Sequence, residues 1–553
     1  MSDLLTLEYN LAELPSSQHR AGLAGLVLML RWLEKEPDKK GICKVVNIDE
    51  TSAKFEFDQE GFRYLFDKAY AASKEEVETD KIRKNKSGEE VTPLRHETRT
   101  VLDKRGNAKE KTVYFYPQVI PHGAFLVDFD RSPEGVWIKL WRNMIWSILR
   151  GVPATRRPYD ERSEGTFTED ADKVWQDLVK KSHQSVDLPS TYFIGAQANS
   201  AENVPFKDIA RFQFLLHFWS FVTQVYVPIA WKFDRKSSSE KPQDNGYALV
   251  IPDVADIKTF CDEFPDLLRG RGSDILGYRP KECLIDLAAE AGLDMMHHID
   301  ERLAGKAHQQ VSDLLLGVDV VHLEKQGNNI RLWGNSRIDP IKRNLDEYAH
   351  VKGRNKNRLF RRQRLLNLLK GEHKWFAGFD SLLSKTDSDQ TIGQSFFRND
   401  VRTAFKEAEE ILGSITNGGN NMDSQPIPKT MESVIYDLVW TYIREKLSNK
   451  YDLEWGKVKG TPQERDYNEK KGKIAREAFL AIRSRTDDDF IEYFASTICS
   501  YHQFQLKESN GFELIAQALY DEEKRNQVRT LTMLAFSANG YSPRSEQQGE
   551  SNE

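Results

Sequence analysis

Cysteine is scarce and scattered. Cys43, Cys261, Cys283 and Cys499 are the only four in 553 residues, and no two form a CxxC pair. That spacing excludes a cysteine zinc framework and a disulfide-stapled secreted fold, and it points to a reducing compartment. Charge of one sign is also in short supply. A net charge of −6 excludes a wholly basic nucleic-acid binder, so any nucleic-acid contact has to come from local clusters. Long apolar runs are nearly absent. Phe212 to Trp231 alone approaches the length of a membrane span. Gln213, His217, Ser220, Thr223, Gln224 and Pro228 interrupt it, so it reads as a buried helix running into a strand. No secretory signal is recognisable, because Asp3 and Glu8 precede the first apolar run. A cytoplasmic protein is expected.

Catalytic signatures are missing as well. There is no GxxxxGK[ST] phosphate loop, no GxSxG turn and no HExxH helix. None of the twelve histidines is followed by Asp, which removes the dipeptide of metal-dependent phosphohydrolases. No cofactor is expected. The nearest approach to a metal site is Asp294, His297, His298, Asp300 and Glu301, whose helical spacing sets carboxylates one turn from imidazoles. With no second ligand cluster, a surface or interface helix explains these residues better. A metal-dependent phosphohydrolase or nuclease using Asp294, His297, His298 and Asp300 is the enzyme alternative.

What is present is a soluble, multidomain composition. A charged fraction of 30 % beside 39 % hydrophobic residues is that of a globular protein, and the length calls for two to four domains. Leu11 to Glu34, LAELPSSQHRAGLAGLVLMLRWLE, predicts a buried helix. Ser16 and Ser17 are placed to cap it. Ala21, Gly22, Ala24 and Gly25 let another backbone approach, while Leu23, Leu26, Val27, Leu30 and Leu33 fill a core. Hairpins are expected over Lys44 to Asp58, Thr98 to Gln118 and Val318 to Leu332, with a mobile charged loop over Lys74 to Glu97. A helix over Glu134 to Arg150 is expected to stop at Gly151 and project Thr155, Arg156 and Arg157 into a loop. The fold class is α+β. An irregular mixed α/β region spans 1–290, a hairpin and basic helical region 291–415, a Gly/Asn/Pro-rich linker 416–430, a helical bundle 431–541 and a disordered tail 542–553.

Basic clusters carry the functional signal. Between Lys342 and Lys374 the cations include Lys352, Arg354, Lys356, Arg358, Arg361, Arg362 and Arg364, against Asp346, Glu347 and Glu372. On a helix Arg354, Arg358, Arg361 and Arg362 share one side, with Leu359, Leu366 and Leu369 turned to the protein. A row of guanidinium groups suits phosphate oxygens, since each contact can be bidentate and releases a counterion. Smaller clusters are Lys81, Arg83, Lys84 and Lys86; Lys104, Arg105, Asn107 and Lys109 at a hairpin tip; Arg156 and Arg157; Arg269 and Arg271; and Lys470, Lys471, Lys473 and Arg476. Tip residues of a hairpin can reach into a groove and read base edges. Trp137, Trp141 and Trp146 have helical spacing and are expected in the core. A freestanding RNA-binding scaffold would need only the basic helix.

The Leu11 to Glu34 stretch resembles the opening of the large subunits of type I CRISPR-Cas surveillance complexes (Cascade), in the MYXAN-type group. Further similarity lies in VWIKLWRNMIWSILRGVPATRRPY (Val136 to Tyr159), YALVIPDVADI (Tyr247 to Ile257) and LLRGRGSDILGYRPKECLIDLAAE (Leu267 to Glu290). The resemblance covers the first half of the chain, and the second half is similar in helical character. It implies a non-catalytic subunit that recognises the protospacer-flanking motif, stabilises the R-loop and recruits a helicase-nuclease. Implied partners are guide RNA, target double-stranded DNA, and the Cascade backbone and small subunits, with no membrane. In such complexes pairing with the guide reads sequence and protein reads the flanking motif. The loops around Lys84 to Lys86, Lys104 to Lys109 and Arg156 to Arg157 would then contact that motif, and Arg354 to Arg364 the DNA backbone. The 431–541 bundle resembles a Cascade small subunit. Gly418 and Gly419 permit a GGAGG coding sequence shortly before Met422, so a separate product starting at Met422 is expected, an ordinary linker being the alternative.

Overall fold

A computed structural model describes residues 4–85, 87–102, 108–149, 153–187, 207–234, 239–305, 310–327, 329–372, 374–417, 430–501 and 511–541. The expected linker and tail therefore fall largely outside the described residues, as does Met422. The architecture is α+β, as its sequence patterning predicts. Two compact units are present, Met1–Leu345 and Asp346–Glu553.

In the first unit the helix Ser17–Leu33 is the central element, with Leu23, Leu26, Val27, Leu30 and Leu33 fully buried. Ser16 occupies the N-cap without a side-chain cap bond. Its hydroxyl instead lies 2.7 Å from His19 Nδ1, while the Ser17 hydroxyl donates to Asp319 at 2.5 Å. The glycines do permit backbone approach. A Cβ on Gly22 would lie 2.3 Å from the Leu215 carbonyl oxygen, and one on Gly25 would lie 2.2 Å from that of Phe218.

The helix packs on the main sheet, whose strand order is Ser239–Asp244, Gln224–Asp234, Tyr247–Val254, Leu315–Gln326, Asn329–Ile338, all antiparallel. Leu284–Ile285 adds a short parallel pairing to Gln224–Asp234. The Phe212 to Trp231 stretch is the expected buried helix followed by a strand, helix Ala210–Leu215 leading into Gln224–Asp234. Among the described residues no helix is long and apolar enough to cross a membrane.

The hairpin Cys43–Ile48 with Ser52–Phe57 forms where the alternation places it. Asp49 fixes its turn by accepting from the Thr51 and Ser52 N–H groups at 2.9 and 2.7 Å. The Ser52 hydroxyl and these N–H groups hold the Asp49 carboxyl below its usual range. The charged Lys74 to Glu97 segment begins and ends in strand, while 80–94 between them holds no named strand or helix among the described residues. Ala72–Thr79 pairs along Ala108–Pro121, which pairs on its other side with Arg95–Leu102. Ion pairs bridge the two outer strands over the middle one, Arg95–Glu76 at 2.9 Å and Arg99–Glu78 at 2.8 Å, and Lys111 of the middle strand reaches Asp80 just past the first at 3.2 Å.

Trp137 and Trp141 are buried, and each indole N–H donates to a backbone carbonyl at 2.9 Å, those of Gly272 and Ser220. The helix carrying them continues as a π turn, Met144–Ile148. The expected stop at Gly151 lies outside the described residues, and Pro153–Glu164 is helix, so Arg156 and Arg157 sit on a helix and not in a projecting loop. Pro153 suits that role, since a proline at the first helical position lacks only an N–H that would be orphaned anyway.

The second unit is helical. Its core joins Phe360, Phe379, Phe397 and Val401 to Leu438, Tyr442, Phe479 and Ile482, so helices on both sides of 418–429 share one interior. The helix Glu522–Asn539 is buried continuously from Val528 to Asn539. Thr532, Ser537 and Asn539 survive there by donating to carbonyls one turn back, at 2.7, 2.9 and 3.0 Å.

Candidate nucleic-acid interface

A dense group of cations lies where the helix Lys342–Arg354 gives way to the helix Arg358–Leu369. Asn357 caps the second helix, its side chain accepting from the Phe360 N–H at 3.1 Å. Asp400, only 1 % exposed, accepts from the Lys356 and Asn357 N–H groups at 3.2 and 2.7 Å. The basic stretch is thus two helices, and Arg354 does not share a helix face with the other arginines. Its guanidinium pairs with Glu407 at 2.7 Å.

The second helix is also rotated from its expected setting. Phe360, Leu365 and Leu368 are buried, whereas Leu359, Leu366 and Leu369 are half-buried. Arg364 comes inward with the buried face and pairs with Glu347 at 2.9 Å, so it is part of the packing. Arg358, Arg361 and Arg362 remain at the outer end, with Arg362 exposed. Lys352 and Lys356 are exposed beside them.

No acidic residue stands in the first turn of Arg358–Leu369. Cations crowd the end where the helix dipole favours anions. The Asp400 carboxylate lies at the same helix start, within reach of the Lys356 and Arg361 charges.

The other basic residues are dispersed. Lys86, Lys104, Arg105 and Asn107 lie outside the described residues. Lys109 is exposed on the strand Ala108–Pro121, opposite Val101, and Lys84 is exposed in a bridge with Glu90. Arg156 donates to the Trp146 carbonyl and lies 4.8 Å over its ring. Arg157 is exposed and pairs with Glu161 at 2.7 Å.

Arg269 pairs with Asp266 and stacks 4.8 Å over Phe129. Arg271 is turned inward, 4.6 Å over Trp137, and burial brings its pKa down to about 10. Lys470 lies 5.4 Å over Tyr451, and Lys471 lies 4.8 Å over Trp440. Burial, with Arg402 nearby, lowers the Lys471 pKa to about 8. Lys473 is exposed.

The residues weighed as metal ligands divide. His297 turns to Glu301 at 3.5 Å, and Asp300 accepts from Lys342 at 2.6 Å. Asp294 and His298 come together with Glu282, a residue that helical spacing could not have found because it belongs to a separate turn, Lys281–Cys283.

Residues 42–309 match the family model of the Type I-B CRISPR Cas8b N-terminal domain, and residues 315–539 match that of the Cas8b C-terminal domain. The chain belongs to the Cas8b family. It is a large subunit of type I CRISPR Cascade, consistent with the sequence resemblance at that level. No curated protein matches the chain closely. The two Cas8b matches meet between residues 309 and 315. The cationic helix pair thus belongs to the Cas8b C-terminal domain, and the hairpin carrying Lys109 to the N-terminal one.

Proposed function

We propose that this Cas8b-family chain is a non-catalytic, cytoplasmic subunit of an RNA-guided DNA surveillance complex in antiviral defence. In this reading it recognises the protospacer-flanking motif, stabilises the R-loop and recruits a helicase-nuclease. Its partners are guide RNA, target double-stranded DNA and the Cascade backbone and small subunits. The observation that carries the nucleic-acid part is the group of Lys356, Arg358, Arg361 and Arg362 around one helix start that holds no first-turn acid. Guanidinium groups on a rigid helix bind backbone phosphates without reading sequence. Flanking-motif contact falls to the N-terminal hairpin and its tip, and the 431–541 bundle acts as a small-subunit-like module, with a separate product from Met422. The finer MYXAN-type grouping belongs to this reading too.

The test is target binding by the assembled complex with Lys356, Arg358, Arg361 and Arg362 changed to Ala. Each lost phosphate contact lowers the slope of log K against log salt by about 1. The quadruple variant should bind more weakly and with a slope reduced by roughly 3 to 4. Unchanged affinity with an unchanged slope removes the phosphate-contact reading. A preference of the isolated protein for RNA hairpins over flanked duplex DNA would favour a freestanding RNA scaffold.

A further inference from the structure

A cluster in the first unit has the donor set of a metal centre and plays no part in the nucleic-acid reading. Asp294 and His298 stand one turn apart on the helix Glu290–Leu303, and Glu282 reaches them from the turn Lys281–Cys283. His298 Nε2 is 2.6 Å from Glu282 Oε1 and 3.4 Å from Asp294 Oδ2. One ligand atom from each of the three residues lies within 4.8 Å of the other two.

Each member of the cluster is oriented by a further group. The other ring nitrogen of His298, Nδ1, faces Glu301 Oε2 at 3.3 Å, which is the carboxylate support that metal-bound imidazoles commonly have. Glu282 Oε2 accepts the Gly272 N–H, leaving Oε1 for the centre. Asp294 is 1 % exposed and hydrogen-bonded by Tyr226.

We propose that Glu282 Oε1, Asp294 Oδ2 and His298 Nε2 hold a divalent zinc-class ion that ties the helix Glu290–Leu303 to the turn Lys281–Cys283. Bonds of about 2.0–2.2 Å place tetrahedral ligand atoms roughly 3.3–3.6 Å apart. The Nε2–Oδ2 separation already has that value, and the Nε2–Oε1 separation needs to open by less than about 1 Å. One imidazole with two carboxylates favours zinc over calcium or magnesium, which prefer all-oxygen sets.

The adjoining cavity, lined by Trp137, Tyr226, Arg271, Glu282 and His298 among others, has a volume of about 20 Å³. That admits one water as a fourth ligand and no substrate, so the ion is structural. Arg271 and Arg302 line the same cavity. They cannot ligate, and together with a protonated His298 they are the competing source of positive charge for the two carboxylates.

The experiment is zinc binding by the full chain after chelator stripping, using ZnCl₂ against a chromophoric competitor, with bound metal counted by mass spectrometry. One equivalent should bind. At about 100 times Kd, the first thermal transition should rise by roughly 3–5 °C. Glu282→Gln and His298→Gln should each weaken binding at least tenfold, whereas His297→Ala should bind as wild type does.

Cobalt substitution of wild type supplies a readout that needs no variant to fold. A visible spectrum of tetrahedral nitrogen and oxygen ligands is expected, and a thiolate charge-transfer band would overturn the assignment. So would stripped wild type that binds no stoichiometric zinc, or a His297→Ala loss equal to that of His298→Gln. None of these readouts involves nucleic acid, so failure here leaves the proposed function standing.

Discussion

Gly25→Ala tests the packing of the first unit at its tightest point. The added methyl would sit 2.2 Å from the Phe218 carbonyl oxygen and 2.8 Å from its carbon, whereas a relaxed carbon–oxygen contact is about 3.3–3.6 Å. The helix Ser17–Leu33 or the Phe218 backbone has to move by about 1 Å, and no side-chain torsion can absorb it. Overpacking of this kind costs about 1–3 kcal/mol, and a backbone neighbour puts it at the upper end. Helix propensity works the other way, since Ala is favoured over Gly by about 1 kcal/mol in a helix interior.

The expected net is destabilisation of about 2 kcal/mol, read as a fall of a few degrees in the first thermal transition of the intact chain. Gly353→Ala is the matched control. It lies on the helix Lys342–Arg354 with no heavy atom within 4 Å of an added Cβ, so it should be neutral or stabilising. A Gly25→Ala protein that melts with or above wild type would refute the close-approach argument, because propensity alone would then account for the result.

Burial lowers the His217 pKa to about 4, so between pH 6.5 and 4 the unfolded chain takes up a proton that the folded chain refuses. Its contribution therefore falls as pH drops through that window, by about 2 kcal/mol between pH 7 and 5; urea midpoints of wild type and His217→Gln at both pH values should differ in slope, and parallel slopes would contradict it. Arg364→Ala strands Glu347 in a partly buried site and should cost about 3 kcal/mol, while Arg362→Ala should change stability by less than about 0.5 kcal/mol; equal urea midpoints for the two variants would remove the distinction between packed and outward arginines. A fragment beginning at Met422 lacks Phe360, Phe379, Phe397 and Val401 from the shared core. Made alone, it should self-associate in sedimentation, and a stable monomer would show that the bundle closes without them.

Apolar content made the largely buried central helix and Phe212 to Trp231 stretch legible, and alternation the Cys43–Phe57 hairpin. Periodicity failed at Ala72–Thr79, because that strand is half-buried or exposed throughout and carries Glu76 and Glu78 in ion pairs with the far outer strand, so its charges give no apolar signal. It also placed the basic helix about one residue out of rotation. Phe360 and a pair-bonded Arg364 share the inward face, and an arginine on a buried face is invisible until its partner is known. The break between Arg354 and Arg358 depends on Asp400, contributed by a distant segment. Glu282 escaped for the same reason, since local spacing cannot bring a residue from another turn to Asp294 and His298.

The helix Glu522–Asn539 is the last of the second unit's described helices to leave the ribosome, yet the others pack around it. Leu438, Tyr442, Phe479 and Ile482 are therefore synthesised before the surface that covers them exists. During translation the second unit has to wait, its apolar faces open to solvent or to a holding chaperone, until Val528 to Ala538 emerge. Ribosomes stalled just upstream of Glu522 should present a protease-sensitive second unit behind an already protected first one.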